Sequence, residues 1–459
     1  MSAKPQQDNH RPFSSESAGA NKKLFTESVL LAGLMVIVCG VVVAAHWPAL
    51  SAEAQSFDDH QYLYGNKLVQ NPGWISAKRF LGEVFAPSTV RGYYQPLTMI
   101  SLMVDCAIGG GPDNLMTFHL TSLILHVINT ALVIVLLYTL FGKVWPAAIA
   151  GLLFGVHPLT VETVVCIAER KTVLASFFAL CCMIIYVWYT RKKDWKAYAG
   201  CILMYVLALM SKPTTVPLPA LLLVLDFWPL RRRFRQALLE KVPLLVIGGI
   251  FAVITVISQG RTAEVAMPSE YSPVRIPLIL CHNIIFYLHK IIWPVKLSAY
   301  YRYPSPLSVS NSMVLAGVIG TCILIPALLV CLRWTRAILT GWLFFFVAIL
   351  PTMGVISFTY SIAADRYAYL PSVGLLLVVA WLIGVLWERI AGTSIGRIAV
   401  VAVVLAAGFS EFVVTRRYLF EWRDTESHIR HMFALAPNST VLHNFSGIVL
   451  YRQGKIEQA

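Results

Sequence analysis

Apolar runs of roughly 20 residues, the length a helix needs to cross a bilayer, recur from Leu24 almost to Val414 with short polar breaks between them. A chain with that repeat folds as a helical bundle, because backbone groups in lipid must find their hydrogen bonds within the protein and a helix supplies them inside one segment. Composition agrees. Of 459 residues 57% are apolar and only 13% are charged, about half the charge of a soluble domain. The fold expected is all-α, a polytopic membrane bundle of about eleven spanning helices. The 37 Lys+Arg outnumber the 23 Asp+Glu, but they gather in the breaks and not along one helical face. That is the positive-inside pattern and not a nucleic-acid surface. The nine cysteines lie mostly in apolar stretches without a CxxC pair and read as small buried side chains.

Residues 1–21 are polar, lack apolar periodicity, and read as a disordered cytoplasmic tail. Lys22 and Lys23 then precede the run from Leu24 to Ala45. Ala52-Glu53-Ala54 resembles a signal cleavage site, but the run is long for a signal, so we read a retained anchor. Holding the two lysines inside makes 46–115 the first outward loop of a membrane domain covering 22–415. The basic clusters Arg191-Lys192-Lys193 and Arg231-Arg232-Arg233-Phe234-Arg235 then fall inside. Pro277 to Trp293 is apolar, but counting it as a span moves Arg333 and Arg336 outside, so it is read as re-entrant or interfacial. The N-terminus is then cytoplasmic, and the C-terminus and the polar outward segments face the periplasm or a lumen.

Those outward segments carry the candidate chemistry. Asp58 and Asp59 lie just beyond the first span; adjacent carboxylates there can take a proton from a hydroxyl or hold a divalent cation such as Mg or Mn. Tyr93, Tyr94, Gln95, His119, His126, His157, Glu162, Glu169, Arg170, Lys171, Lys212, Asp365, Arg366 and Tyr367 share the same face, and ionisable residues at membrane depth are functional candidates. Each also has a structural reading as an ion pair, for example Glu162 with Arg170 or Asp365 with Arg366. His119 and His126 fall on one helical face, where packed, hydrogen-bonded rings are more common than ligands. From charge and side, Arg170, Lys212 and Arg366 suit an anionic phosphate, with Tyr94, His119, His157, Glu162, Glu169, Asp365 and Tyr367 in support. Residues 416–459 have soluble helical composition. From Ala434 the spacing of Pro437, Gly447, Tyr451, Gly454 and Ala459 fits one tetratricopeptide repeat, which cannot bury its own face. The unit stops short, as in a fragment of a longer repeat protein or a member that has lost its array.

The runs His157-Pro158-Leu159-Thr160-Val161-Glu162, Ala168-Glu169-Arg170-Lys171, Ser211-Lys212-Pro213, Leu225-Asp226-Phe227-Trp228-Pro229 and Ala364-Asp365-Arg366-Tyr367-Ala368-Tyr369-Leu370-Pro371 resemble bacterial multispanning proteins with C-terminal tetratricopeptide repeats. These are similar to the eukaryotic TMTC-type protein O-mannosyltransferases. Tyr94-Gln95-Pro96-Leu97-Thr98 and Phe118-His119-Leu120 fit the same pattern, and Pro213 departs from the eukaryotic Glu. The resemblance implies a GT-C glycosyltransferase whose donor is a sugar on a polyprenyl phosphate, whose acceptor is a protein Ser or Thr, and whose acidic motif lies in the first outward loop. Asp58 or Asp59 would be the general base of an inverting transfer of, for example, mannose. The alternative is a non-catalytic membrane anchor that displays repeats to protein partners.

Overall fold

The computed structural model describes residues 15–54, 57–262, 272–354, 361–390, 394–452, 454, 455 and 457. It is a helical membrane protein. In chain order the helices that matter here are α1 (Ser15–His46), α2 (Pro96–Ala107), α3 (Met116–Phe141), α4 (Val144–Val156), α5 (Arg170–Lys192), α6 (Trp195–Ser211) and α7 (Leu218–Phe227). They are followed by α8 (Phe234–Thr262), α9 (Ile276–Ile292), α10 (Ser312–Cys331), α11 (Ala337–Ile349), α12 (Ser372–Arg389), α13 (Ser394–Phe420), α14 (Thr425–Leu435) and α15 (Thr440–Arg452). Residues 15–21, read from sequence as part of a disordered tail, belong to α1, and 1–14 lie outside the described residues.

Among the described residues seven helices are long and apolar enough to cross a membrane, or eight if α4 and the bent segment Pro158–Val165 form one span. The expected eleven is not reached by length. Pro96–Ala107, Trp195–Ser211, Pro213–Phe227, Ile276–Ile292 and Ala337–Thr352 are apolar but shorter. The apolar windows of α3 and α5 are 50% and 56% buried, against 17% for α1 and 11% for α13. The first pair therefore forms the centre, and the second turns side chains such as Val36, Ile37, Val403 and Phe409 outward, as lipid-facing helices do.

Helix breaks at X-Pro pairs position the polar residues. The ring of a proline pushes its predecessor out of helical geometry, and His157 (φ −67°, ψ 131°) and Lys212 (φ −153°, ψ 117°) are both extended just before Pro158 and Pro213. The chain bends by 54° at the first of these breaks. The breaks gather at one end of the bundle, where Thr98 Oγ1 donates to Ser211 O at 2.9 Å and His46 Nε2 meets Thr160 Oγ1 at 3.2 Å. Along α9, Asn283 bonds Met353 O and Ile362 O, Tyr287 bonds Ala364, and Ile291 O receives His157 Nε2, so this helix serves the same end. The α14–α15 pair docks there too: Ser439 Oγ donates to Tyr300 OH at 3.1 Å and the rings of Phe57 and Phe445 lie 4.2 Å apart.

Candidate active site

The two aspartates of the first loop have different surroundings. Asp59 is 1% exposed and its Oδ1 accepts from the Ala168 amide at 2.9 Å and from Cys166 Sγ at 3.5 Å, which fastens the loop to the turn before α5. The Asp58 side chain is 40% exposed; Oδ2 lies 3.4 Å from Lys171 Nζ, and Gln61 Nε2 donates to Oδ1 at 3.3 Å. Lys171 also donates to Tyr62 OH at 3.3 Å, and Gln95 Nε2 donates to the same hydroxyl. Burial pushes the Tyr62 phenol up to about 12, so it stays protonated as a neutral hydrogen-bonding group.

Glu169 is the hub. Lys171 Nζ and Arg366 Nε both lie 3.2 Å from its Oε1, and Lys212 Nζ lies 3.3 Å from its Oε2. Thr172 Oγ1 donates to Oε2 and accepts from Lys212 at 2.6 Å. Glu162, fully buried, takes the other side of Arg366 through the backbone amide (2.9 Å) and Nη1 (2.5 Å). The Arg366 guanidinium lies over the Tyr367 ring at 4.9 Å, and Tyr93 is within electrostatic reach of Lys171, Tyr62, Glu169 and Tyr367. Three cations set against two buried carboxylates leave one positive charge, with Asp58 standing opposite it.

Other sequence candidates lie elsewhere. Arg170, adjacent to Lys171 but about 100° around the helix, pairs with Asp105 at 2.7 Å and bonds Ser101, Ser122 and Phe118 O. It does not join Lys212 and Arg366. The pairings read from sequence proximity therefore differ from those observed: Glu162 holds Arg366, not Arg170. Asp365 is not paired with Arg366 but accepts from Tyr301 OH (2.7 Å) and Tyr418 OH (3.2 Å), and burial pushes its carboxyl well above the usual range. Tyr94 donates to Leu81 O, His119 bonds Ala52 O, and His157 bonds Ile291 O while its Nδ1 accepts from Leu159 N. His119 does not share a ligand set with His126, which bonds Tyr369 OH and Gly155 O. Among the described residues no three His, Cys, Asp or Glu side chains form a group able to hold a metal. Asp58, Glu162 and Glu169 each face a Lys or Arg.

A multispanning helical protein with three acids and three cations gathered at one bundle end is the class that fold and site define. Residues 107–258 match the family described as dolichyl-phosphate-mannose-protein mannosyltransferase; that segment holds Glu162, Glu169, Lys171 and Lys212 and leaves Asp58 and Arg366 outside. Protein O-mannosyl-transferase Tmtc2 of Drosophila melanogaster is 34% identical over 119 residues, 26% of this chain and 12% of its own length. Tmtc1 of Drosophila melanogaster is 23% identical over 83% of this chain and 54% of its own length. F38B6.6 of Caenorhabditis elegans is 22% identical over 88% and 58%. The chain thus resembles the TMTC-type protein O-mannosyltransferases, and it spans about half the length of the two relatives matched along most of its own.

Proposed function

We propose that the chain is an inverting membrane glycosyltransferase that moves a sugar, mannose by resemblance, from a polyprenyl-phosphate carrier to a Ser or Thr hydroxyl of a protein. The observation that carries this reading is the half-exposed Asp58 carboxylate 3.4 Å from Lys171, within a cluster that Glu169 extends to Lys212 and Arg366. Asp58 takes the hydroxyl proton as the oxygen attacks the anomeric carbon; the bond from that carbon to the phosphate oxygen breaks on the opposite face. The leaving lipid phosphate gathers negative charge, and Lys171, Lys212 and Arg366 stabilise it as preorganised donors that need not reorganise during reaction. Glu169 and Glu162 keep the three cations in place, and Asp59 holds the loop that carries Asp58. Arg170 is assigned to the fold and not to the phosphate.

Asp58→Asn tests the reading in purified, membrane-inserted protein supplied with polyprenyl-phosphate mannose and an acceptor protein. Transfer is expected to fall by at least about 100-fold, the usual scale for losing a general base, with unchanged helicity and melting temperature. Wild-type transfer by the Asn variant would remove the base assignment.

A further inference from the structure

The opposite end of the bundle carries a second feature. Where α7 ends and α11 begins, a cavity of about 500 Å³ is lined by Trp228, Arg231, Trp334, Thr335, Arg336 and Trp381. Both helices connect it with the acidic and cationic cluster: α7 follows Lys212-Pro213, and α11 ends at Ile349, roughly 20 Å further on at 1.5 Å per residue. The cavity is therefore separate from the site of transfer.

Its chemistry is cationic and aromatic. Neighbouring Arg232 is saturated by Glu240 (2.6 Å) and Asp226 (3.5 Å). Among the described residues neither Arg231 nor Arg336 meets a carboxylate, and no acidic residue lines the cavity. Arg231 holds a left-handed backbone (φ 52°), which a side chain adopts only at a cost. The Arg336 guanidinium lies 5.0 Å over the Phe227 ring, and its planar fork of N–H groups suits an acceptor that offers two oxygens, as a phosphate does. Trp228 is buried, edge-on to Trp381 with centroids 6.3 Å apart and packed on Phe141 at 5.4 Å, which gives the cavity a rigid wall. Trp334 is 77% exposed, and Leu329 and Val330 at the end of α10 and Leu332 just past it, which also lines the cavity, are exposed beside it. Indoles belong at the bilayer interface and exposed aliphatic side chains against acyl chains, and basic pockets between spanning helices take lipid phosphates.

We propose that this cavity binds the phosphate of an anionic phospholipid headgroup, held by Arg231 and Arg336, with the acyl chains along the end of α10. The chemistry is shared with free phosphate, and the apolar flank favours the lipid. Native mass spectrometry of the full chain, released from mixed micelles of phosphatidylglycerol and phosphatidylcholine, tests it. One phosphatidylglycerol should be retained roughly tenfold over phosphatidylcholine, the scale of one charge-assisted contact, and Arg231→Gln with Arg336→Gln should abolish that preference. Millimolar inorganic phosphate should not displace the lipid. Equal retention of the two lipids by the wild type, a measurement that needs no variant, would overturn the proposal. So would an unchanged preference in the double variant or in both single ones. Displacement by inorganic phosphate would reassign the cavity to the free anion and overturn the headgroup assignment.

Discussion

At the scale of the residue, neighbours in sequence do different work, and the differences can be tested. Asp59→Asn should weaken the loop anchor at Ala168 and Cys166 and lower the melting temperature, whereas Asp58→Asn should leave it unchanged; thermal unfolding in detergent distinguishes them. Arg170→Ala leaves Asp105 buried without its cation. Breaking such a pair costs about 3–5 kcal/mol, so this variant should fail in stability before it fails in donor binding, read as yield of folded protein. Lys212 gives a pH prediction. Burial pulls its ammonium down to about 8, against the opposing pull of Glu169 and with the neighbouring cations Lys171 and Arg366 adding to the depression. A lysine depressed on folding loses its charge as pH rises through about 8, so donor affinity should fall through that range. Its contribution to stability runs the other way, because the buried ammonium is the costly form, so stability gained from this group rises between about 8 and the unfolded value near 10.4. Lys212→Arg keeps the charge to higher pH and should move the affinity loss upward; an unmoved profile would show that another group titrates. The sequence exposed Asp58, Lys212 and Arg366 because charge stands out in apolar surroundings. It could not rank Lys171 over Arg170, since the facing of two adjacent helical residues depends on how the helix is rotated in the bundle, nor pair Glu162 with Arg366 across 204 positions.

At the scale of the element, small residues and salt bridges decide how helices meet. Gly341 on α11 and Gly374 on α12 face each other so closely that a Cβ on Gly374 would sit 2.6 Å from Gly341 O and 2.7 Å from Phe345 N. Both obstacles are backbone, which cannot swing aside, and such contacts are how helices approach without a hydrophobic drive in lipid. Gly374→Val should part α11 from α12 at a cost of about 1–3 kcal/mol, seen as a lower melting temperature in detergent. Because α11 leads to the Thr352 turn and α12 follows Tyr369, the same change should loosen the segment carrying Asp365 and Arg366. At the other end Asp226 lies 3.5 Å from Arg232, accepts from Tyr186 OH at 2.8 Å and 2.7 Å, and pairs with Lys241. This ties α5, α7 and α8 together, so the bundle is fastened at both ends by buried charge. The X-Pro breaks were visible in the sequence as residues; that His157 and Lys212 end at the same bundle end follows only once the helices pack.

At the scale of the molecule, the membrane class followed from hydropathy alone, while the span count did not, because five apolar helices are shorter than a bilayer core and charge alternation cannot say which of them cross it. The sequence also treated the segment after residue 415 as a separate soluble unit, yet in three dimensions it completes the site end. Besides its contact with Phe445, Phe57 packs on Tyr300 at 6.2 Å; Glu53 N donates to Arg423 O at 3.0 Å, and Arg302 Nη1 donates to Asn438 O at 3.2 Å. Phe57 immediately precedes Asp58, so α15 bears on the loop that carries the proposed base. Phe445→Ala removes an aromatic pair worth about 0.5–1.5 kcal/mol beyond its buried area. Local opening of the loop should rise by up to about tenfold for each 1.4 kcal/mol lost, read as faster amide hydrogen exchange in peptides covering 57–64, with α3 and α5 unchanged. If Asp58 is the base, the same variant should lower kcat more than donor affinity, because the cations on α5 and in the 364–371 segment are held independently of Phe445. Unchanged exchange at 57–64 would show that the contacts of Asp58, Asp59, Gln61 and Tyr62 hold the first loop without Phe445.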